Sequence, residues 1–385
     1  MKICLICNEY PPGPHGGIGA MNQILAIELV KKGHFVTVVG LYDSNYCGSE
    51  FENDKGVNIF RIFSSLTSKY KIMMGWKKLF SFVKKLEKEN KIDLIEIPDS
   101  YGWFSIWGKL KTPVLVKTHG ANLYFGKILN TKTRKSTAFF EKKLLRNATA
   151  VCSVSHFTAK VIKDVFNYNN PIYVIHNGVD INNLNNLKTY NSKDIKIIYS
   201  GTLIRKKGVY SLTKAIILLL EKGYSLKVIF NGKDSIDEIS KISTKEEIMN
   251  LIPKEFLKNF LFNGHVTKES LLNQYYESNI AIFPSYAEAF AMAPLEAMST
   301  GIPVIYTILG SGNELILNFE DGILINPDSP FDIAEAIKYL IENPEKAKLI
   351  GEKGKTKILK EFSKEVMVYN TIDLYKQIIF KNENK

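Results

Sequence analysis

Short runs of aliphatic and β-branched residues alternate with longer amphipathic stretches along most of the chain. In the first half the runs are KICLIC, FVTVVGL, VNIFRIF, IDLIEI, PVLVKT, ATAVCSV and PIYVIH. Between them the spacing predicts helices at MNQILAIELVKKG and near 69–90, 134–147 and 156–166. Apolar runs too short to be helices, separated by helical patterns, predict strands of a parallel sheet built from βαβ units. The pattern stops at DINNLNNLKTYNSKD, residues 180–194, an asparagine-rich aperiodic stretch that reads as an interdomain linker. It restarts with IKIIYSG and the helix GVYSLTKAIILLLEKG, followed by the strands SLKVIF, FLFNGHV, NIAIFPS, IPVIYT and GILINP. A last helix near 364–380 carries aromatic and aliphatic residues on one side and is expected to pack back on the first domain. The expected fold class is therefore α/β, with two tandem Rossmann-like doubly wound domains over 1–182 and 183–363 and a returning helix over 364–385.

Composition narrows this picture. With 385 residues the chain has room for two domains, and 45% hydrophobic residues supply real cores, which excludes low-complexity disorder. No apolar run approaches the length of a bilayer span. The opening MKICLIC is cut off by Asn8 and Glu9, too short for a signal-peptide core, so it reads as the first strand of a cytoplasmic protein. Cys4 and Cys7 form a C-x-x-C inside that strand, where residues three apart point to opposite faces; without a second pair they read as buried thiols, not as a metal or redox site. The net charge of +12 is uneven: residues 1–185 hold 25 Lys and Arg against 14 Asp and Glu, leaving 26 against 25 for the rest. A basic first half calls for an anionic partner, whether membrane surface, nucleic acid or phosphorylated substrate. No RNP, zinc-finger or helix-turn-helix pattern is present, which sets nucleic acid aside.

Ligands of open parallel sheets bind beyond the carboxyl ends of the strands, so the candidate chemistry is sought there. After the first strand, Gly16, Gly17 and Gly19 in NEYPPGPHGGIGA precede a helix, and backbone amides at such a place suit a phosphate. The loop lacks the Rossmann G-x-G-x-x-G spacing, and no Walker motif occurs in the chain; a flexible turn is the plain alternative. His119 follows PVLVKT; it is either structural or a site histidine, and no neighbouring ligand set favours a metal. Arg205, Lys206 and Lys207 follow the strand IKIIYSG, either as a solvated charge run or as a diphosphate-binding cluster. Glu288 and Glu296 flank an apolar segment whose Pro294 fits a first helical turn. Glu296 in that first turn would serve as a favourable helix-start charge, and Glu288 as a loop acid. Together they would also grip the hydroxyls at the two ends of a nucleotide sugar, with backbone amides on the phosphates between.

These residues resemble retaining glycosyltransferase family 4, of the GT-B fold. Glu288 and Glu296 have the spacing of its E-x7-E signature within FPSYAEAFAMAPLEAMSTGIPVI; GGIGA, VIHNGVD (174–180), GSGNELI (310–316) and DGILINP (321–327) follow in the family's order. The resemblance implies parallel sheets facing a central cleft and a sugar moved from a nucleotide-diphosphate donor, UDP ahead of GDP, to a glycan or lipid-linked acceptor in bacterial cell-surface polysaccharide or glycolipid synthesis. Beyond the donor it implies no cofactor and no metal. It implies that Glu288 binds the transferred sugar, Phe290, Ala291 and Met292 offer backbone contacts, Glu296 holds the ribose, Lys207 neutralises the departing diphosphate, His119 lies near the sugar and Val266 meets the base. Two positions depart from the family. Thr202 stands where an arginine is usual, with Arg205 as the candidate substitute, and Ala291 stands where glycine is usual. A nucleotide-sugar epimerase or hydrolase, or a non-catalytic nucleotide-binding module, would carry much of the same pattern.

The charge excess gathers in KYKIMMGWKKLFSFVKKLEKENK, 69–91, and in the helix near 134–147. Ile72, Trp76, Leu79, Val83 and Leu86 fall at helical spacing and suit packing on the sheet, leaving an outer band of lysines. With Trp76, Phe80 and Phe82 nearby, that band would rest on anionic lipid, making the protein peripheral at the inner membrane face.

Overall fold

The computed structural model describes residues 1–13, 15–181 and 195–384. The chain forms two compact units, Met1–Gly178 with Lys364–Lys385, and Val179–Ser363. The expected linker lies, from residue 182 onward, outside the described residues.

Unit 1 runs β1 (Lys2–Ile6), α1 (Gly17–Lys31), β2 (Phe35–Asp43), β3 (Phe51–Asp54), β4 (Val57–Ser64), α2 (Lys69–Lys88), β5 (Leu94–Pro98), a 3-10 turn (Gly102–Ile106), β6 (Val114–Thr118), α3 (Asn122–Ile128), α4 (Lys135–Asn147), β7 (Ala150–Ser153), α5 (His156–Phe166) and β8 (Ile172–Val174). Its sheet has the order β3-β4-β2-β1-β5-β6-β7-β8 and is parallel except for β3, which pairs antiparallel with β4 at the edge. β3 reads FEND, a polar stretch with one aromatic and two acids, so it lacks the apolar run that marks the other strands. Its acids suit an edge, where charge discourages further pairing. β1 after Lys2 is apolar and buried, β5 is buried throughout and apolar except for Glu96, and Cys4 and Cys7 are fully buried, their thiols pushed up to about 12 and about 11 by burial.

α2 begins at Ser68, whose side chain accepts from the Lys71 amide. Its inner face buries Trp76, Leu79, Phe80, Val83 and Leu86, and each such side chain contributes about 1.5–3 kcal/mol by leaving water. This corrects the expected lipid contact by aromatics. Trp76 and Phe80 are each 4% exposed, and the Phe82 ring packs 5.0 Å from that of Phe60. The sheet competes for these rings and wins, leaving Lys77, Lys78, Lys84, Lys85 and Lys88 exposed.

Unit 2 runs β9 (Ile195–Ser200), a 3-10 turn (Arg205–Lys207), α6 (Val209–Glu221), β10 (Leu226–Asn231), α7 (Thr244–Leu251), β11 (Phe260–Gly264), α8 (Lys268–Glu277), β12 (Ile280–Phe283), α9 (Met292–Ser299), β13 (Val304–Thr307), α10 (Gly312–Leu315), β14 (Ile323–Ile325), α11 (Pro330–Glu342) and α12 (Pro344–Glu361). All five strand pairings in the order β11-β10-β9-β12-β13-β14 are parallel. The core is aliphatic, with Ile197, Val228, Ile282 and Ile305 from the strands against Leu212, Ile216, Ile333 and Ile337 from α6 and α11. Where the chain enters and leaves the unit, the Val179 amide donates to the Phe362 carbonyl at 2.9 Å.

The last helix, α13 (Lys364–Glu383), belongs to unit 1. Its Tyr375 hydroxyl donates to Glu96 Oε2 at 2.6 Å inside the unit, and Lys364 lies 3.4 Å from Glu28.

Candidate active site

In each sheet the chain winds outward from a central strand and then resumes on its other side. The reversal falls between β9 and β12 in unit 2 and between β1 and β5 in unit 1. Loops diverge at such a point and leave room for a ligand.

In unit 2 the loops after β9 and β12 are locked together. Gly208 adopts φ +72°, and a Cβ there would sit 1.8 Å from the Pro284 carbonyl oxygen. The Tyr286 amide donates to the Lys206 carbonyl at 2.8 Å. This close approach brings the Lys207 ammonium onto Glu288 Oε1 as an ion pair, with the two side chains 26% and 12% exposed. Lys206 lies in the same field: burial lowers its pKa, and the Glu288 charge opposes that shift. Burial, and then the Glu288 charge, raise the pKa of the buried Tyr199 hydroxyl. Lys206 joins the site although the sequence pattern did not separate it from its neighbours.

Past Glu288 the chain enters α9 through Ala291, at φ −74° and ψ 140°, an ordinary extended conformation that accepts a methyl group without strain. No side chain caps this helix, so its leading amides are open to an anion. Met292 opens the helix, and buried Pro294 sits in its first turn, where an N–H is not required. Phe290 is 5% exposed and stacks 5.5 Å from the Phe362 ring, anchoring the loop. Glu296 lies in the second turn, not the first, so it caps nothing and the helix-start role expected from sequence does not apply. Burial raises its pKa, and Lys268 at 3.9 Å opposes the shift. Tyr275, hydrogen-bonded to Ser200 Oγ at 2.5 Å, is raised by burial and by the charge of Glu296. The Lys207–Glu288 pair thus lies ahead of α9 in the chain, and Glu296, with Lys268 beside it, lies one turn into it.

Thr202 is exposed, and its carbonyl accepts from the Tyr199 hydroxyl at 3.1 Å. Val266 is half-buried just beyond β11. Arg205 places Nε and Nη2 on the two oxygens of Asp237 at 3.0 and 3.1 Å, lies 3.5 Å from Glu247 and rests over the Tyr210 ring. Arg205 in turn holds the Asp237 carboxyl well below its usual range. That guanidinium charge is matched within unit 2 by two carboxylates.

In unit 1 the glycine loop differs from its expected use. The amides of Gly16 and Gly19 donate to Glu9 at 3.1 and 3.0 Å, so a carboxylate of the chain itself occupies the start of α1 where a phosphate was expected. Gly19 must be glycine, since its Cβ would lie 1.8 Å from the Glu9 carbonyl oxygen; Gly17 is the first residue of α1. Across the reversal point, at the end of β5, is Asp99, fully buried and absent from the sequence-derived candidates. Its Oδ1 accepts from the His119 amide at 3.1 Å, while Oδ2 is buried without a hydrogen-bond partner. Burial pushes the Asp99 carboxyl up to about 7, and burial together with the Lys117 ammonium pushes the His119 imidazole down to about 3. The signal that would have found Asp99 is its place: an acid closing an apolar strand at the reversal point.

The two shifts have opposite consequences for stability. Asp99 binds more proton in the folded than in the unfolded state between about pH 4 and 7, so it makes stability fall as pH rises there. His119 binds less proton when folded between about pH 3 and 6.5, so it makes stability rise with pH. Between pH 4 and 6.5 they oppose each other, since the folded pair is neutral and the unfolded pair carries one charge of each sign. We expect Asp99→Asn to expose a stability rising with pH across that window, and His119→Gln one falling with pH, each by about 1.4 kcal/mol per pH unit at most. Urea midpoints measured at half-unit pH steps check this; parallel curves for the two variants would refute it.

Among the described residues no group of three His, Cys, Asp or Glu is placed to hold a metal ion.

Residues 15–183 match the family model described as Glycosyltransferase Family 4, and residues 181–357 the model described as Glycosyl transferases group 1. An uncharacterized glycosyltransferase of Methanocaldococcus jannaschii, MJ1607, is 25% identical over 399 residues, spanning 98% of both chains. The putative teichuronic acid biosynthesis glycosyltransferase TuaC of Bacillus subtilis is 23% identical over 370 residues, spanning 88% of both. Sucrose-phosphate synthase from Thermosynechococcus elongatus has a similar structure, with a TM-score of 0.83 at 19% identity over 98% of this chain and 99% of that one. HepE from Anabaena, solved with UDP and glucose, gives a TM-score of 0.75 at 16% identity over 98% and 100%.

Proposed function

Because the chain belongs to the GT-B glycosyltransferases of the family 4 type, we propose that it moves a hexose, with retention of configuration, from a UDP-sugar to a glycan or lipid-linked acceptor in cell-surface polysaccharide or glycolipid synthesis. The observation that carries this reading is the Lys207–Glu288 ion pair beside the uncapped start of α9. In the reaction the bond between the sugar C1 and the diphosphate oxygen breaks, negative charge gathers on the departing diphosphate, and the acceptor hydroxyl oxygen bonds to C1 as its proton passes to the diphosphate oxygen. Lys207, with Lys206 next to it, and the leading amides of α9 supply positive potential to that group from fixed positions, where it is most effective. Glu288 accepts hydrogen bonds from the hydroxyls of the transferred sugar, and Glu296 from those of the ribose. His119, held neutral, presents an imidazole that orients the sugar without adding a charge. Arg205 has a structural role, bracing the loop of Asp237 against α6, and Thr202 is left without an arginine substitute.

Two cations and a helix start serve the leaving group, so this chemistry needs no metal and no cofactor beyond the donor. UDP is favoured because HepE, a structural relative, was solved with UDP and glucose; the acceptor class follows TuaC. The basic unit 1 and the described helices, none long and apolar enough to cross a membrane, fit a cytoplasmic protein resting on the inner membrane face through lysines alone.

A thermal-shift series with UDP, GDP, ADP and their sugars tests the donor. At 100 times its Kd a ligand adds about 2.7 kcal/mol to folding stability, and we expect UDP and UDP-sugars to raise Tm by several degrees while ADP does not. Equal shifts for all three bases would remove the donor assignment. Release of UDP accelerated by acceptor separates transfer from hydrolysis or epimerisation.

A further inference from the structure

A cavity of about 250 Å³ opens in unit 1 at the amino-terminal ends of β6 and β7, the end of the sheet opposite to His119. Val114, which lines it, is the first residue of β6, whereas His119 follows the last; Thr149 on its rim directly precedes β7. The five residues of β6 separate the two places by roughly 16 Å, so the cavity lies apart from His119. Its floor is apolar. Phe80 of α2, Phe104 of the 3-10 turn and Leu144 of α4 are 4%, 3% and 2% exposed, and the Phe80 and Phe104 rings meet edge to face at 5.2 Å. Its mouth is cationic. Lys109 and Arg146 line it and are exposed, neither is paired with a carboxylate among the described residues, and no lining residue is acidic. The positive field continues outward: Lys84 lies one turn beyond Phe80 on the same stripe of α2, and the Lys77 ammonium stands 5.9 Å over the Trp107 ring.

An apolar floor beneath two unneutralised cations, within a lysine-rich surface, complements a phosphate joined to a hydrocarbon chain. A bare inorganic anion would leave the aromatic floor uncovered, and an uncharged apolar ligand would leave the cations unmatched. We infer that this cavity takes the phosphate and first methylenes of one anionic membrane lipid, with the phosphate on Lys109 and Arg146 and the chain against Phe80, Phe104 and Leu144. The inference rests on the reading that unit 1 works at an anionic bilayer, and it turns a diffuse electrostatic attraction into a fixed point of attachment. Long-range attraction is screened within about 10 Å at ordinary salt, whereas a phosphate seated on two cations over an apolar floor persists.

The test uses the full-length protein, vesicles of phosphatidylcholine with or without phosphatidylglycerol, and two soluble probes, hexyl phosphate and inorganic phosphate. Leu110→Trp fills the cavity without changing charge, and Arg146→Ala removes one mouth cation from an exposed position. Lys71→Ala, on α2 away from the lining residues, removes the same charge elsewhere. We expect Leu110→Trp to lower affinity for phosphatidylglycerol vesicles about tenfold, Arg146→Ala to lower it about tenfold more than Lys71→Ala, and hexyl phosphate to bind at least about tenfold more tightly than inorganic phosphate. Transfer to a water-soluble acceptor stays at the wild-type rate in all three variants. If the wild type ignores anionic vesicles, both the inference and the membrane reading fall. If it binds them and the cavity variants match Lys71→Ala, only the inference falls. Equal binding of the two soluble probes would reduce the site to a bare anion hole and overturn the lipid assignment.

Discussion

Lys207→Ala is expected to lower kcat by roughly 100- to 1000-fold and to raise KM for the sugar nucleotide, with little change in Tm. The kcat loss follows because charge on the diphosphate appears mainly as the sugar bond breaks, so a fixed cation is worth more in the transition state than in the bound donor. The KM increase has a second cause. Lys207 neutralises Glu288, and without it the carboxylate would face the incoming diphosphate and repel it. Arg205→Ala is the contrast. It strips Asp237 of its fork and should cost about 1–2 kcal/mol, limited by solvent at a guanidinium 45% exposed, while kcat stays within about threefold. Steady-state kinetics with melting curves for both variants separate the two roles. A Lys207→Ala enzyme within tenfold of wild-type kcat, or an Arg205→Ala enzyme that loses turnover at unchanged Tm, would reverse the assignment.

Gly208→Ala is expected to destabilise unit 2 by about 2–5 kcal/mol, the sum of a left-handed backbone and a forced shift of the neighbouring chain, which lowers Tm on the order of 10 °C. Its φ of +72° disfavours any side chain, and the added carbon would overlap the Pro284 carbonyl at 1.8 Å, a backbone atom that cannot rotate away. Relief requires the loop after β9 to separate from the loop after β12, and that also separates Lys207 from Glu288. Activity should therefore fall even at temperatures where the variant is folded. Gly223→Ala is the control, with φ +86° and nothing within 4 Å of its Cβ; it meets the backbone penalty alone, about 1 kcal/mol, and should keep full turnover. Equal Tm losses for the two variants would show that close packing of the loops is not what Gly208 serves.

The α/β pattern, the strands of both sheets other than β3, the helices α1, α2, α4, α5, α6 and α13 and the start of α9 were legible because buried parallel strands need apolar runs and the covering helices need one apolar face. β3 was illegible because an edge strand of four residues buries too little to impose a pattern. Glu288 and Lys207 stood out as candidates because each follows closely on an apolar strand, and Glu296 because it is the one charge within an otherwise apolar helix. Asp99 was passed over although it has the same kind of position, because a single acid after IDLIEI has no partner nearby in sequence. Helical spacing assigns Trp76 to the sheet, where it packs, but leaves Phe80 and Phe82 unassigned, because composition records what a helix carries and not which neighbour claims it.

Read alone, the chain determines two parallel-sheet units, where their strands end, and therefore which side chains can reach a ligand, since these follow from local periodicity and from the direction of parallel strands. Which of those side chains meet was decided only by the tertiary structure. Lys207 pairs with Glu288 across 81 residues, Asp99 with the His119 amide across 20, Arg205 with Asp237 instead of a phosphate, and Glu9 with the glycine amides of α1. The physical reason is that a charge acts over a few ångströms in space and takes the best partner that packing brings there, and sequence separation places no limit on which partner that is.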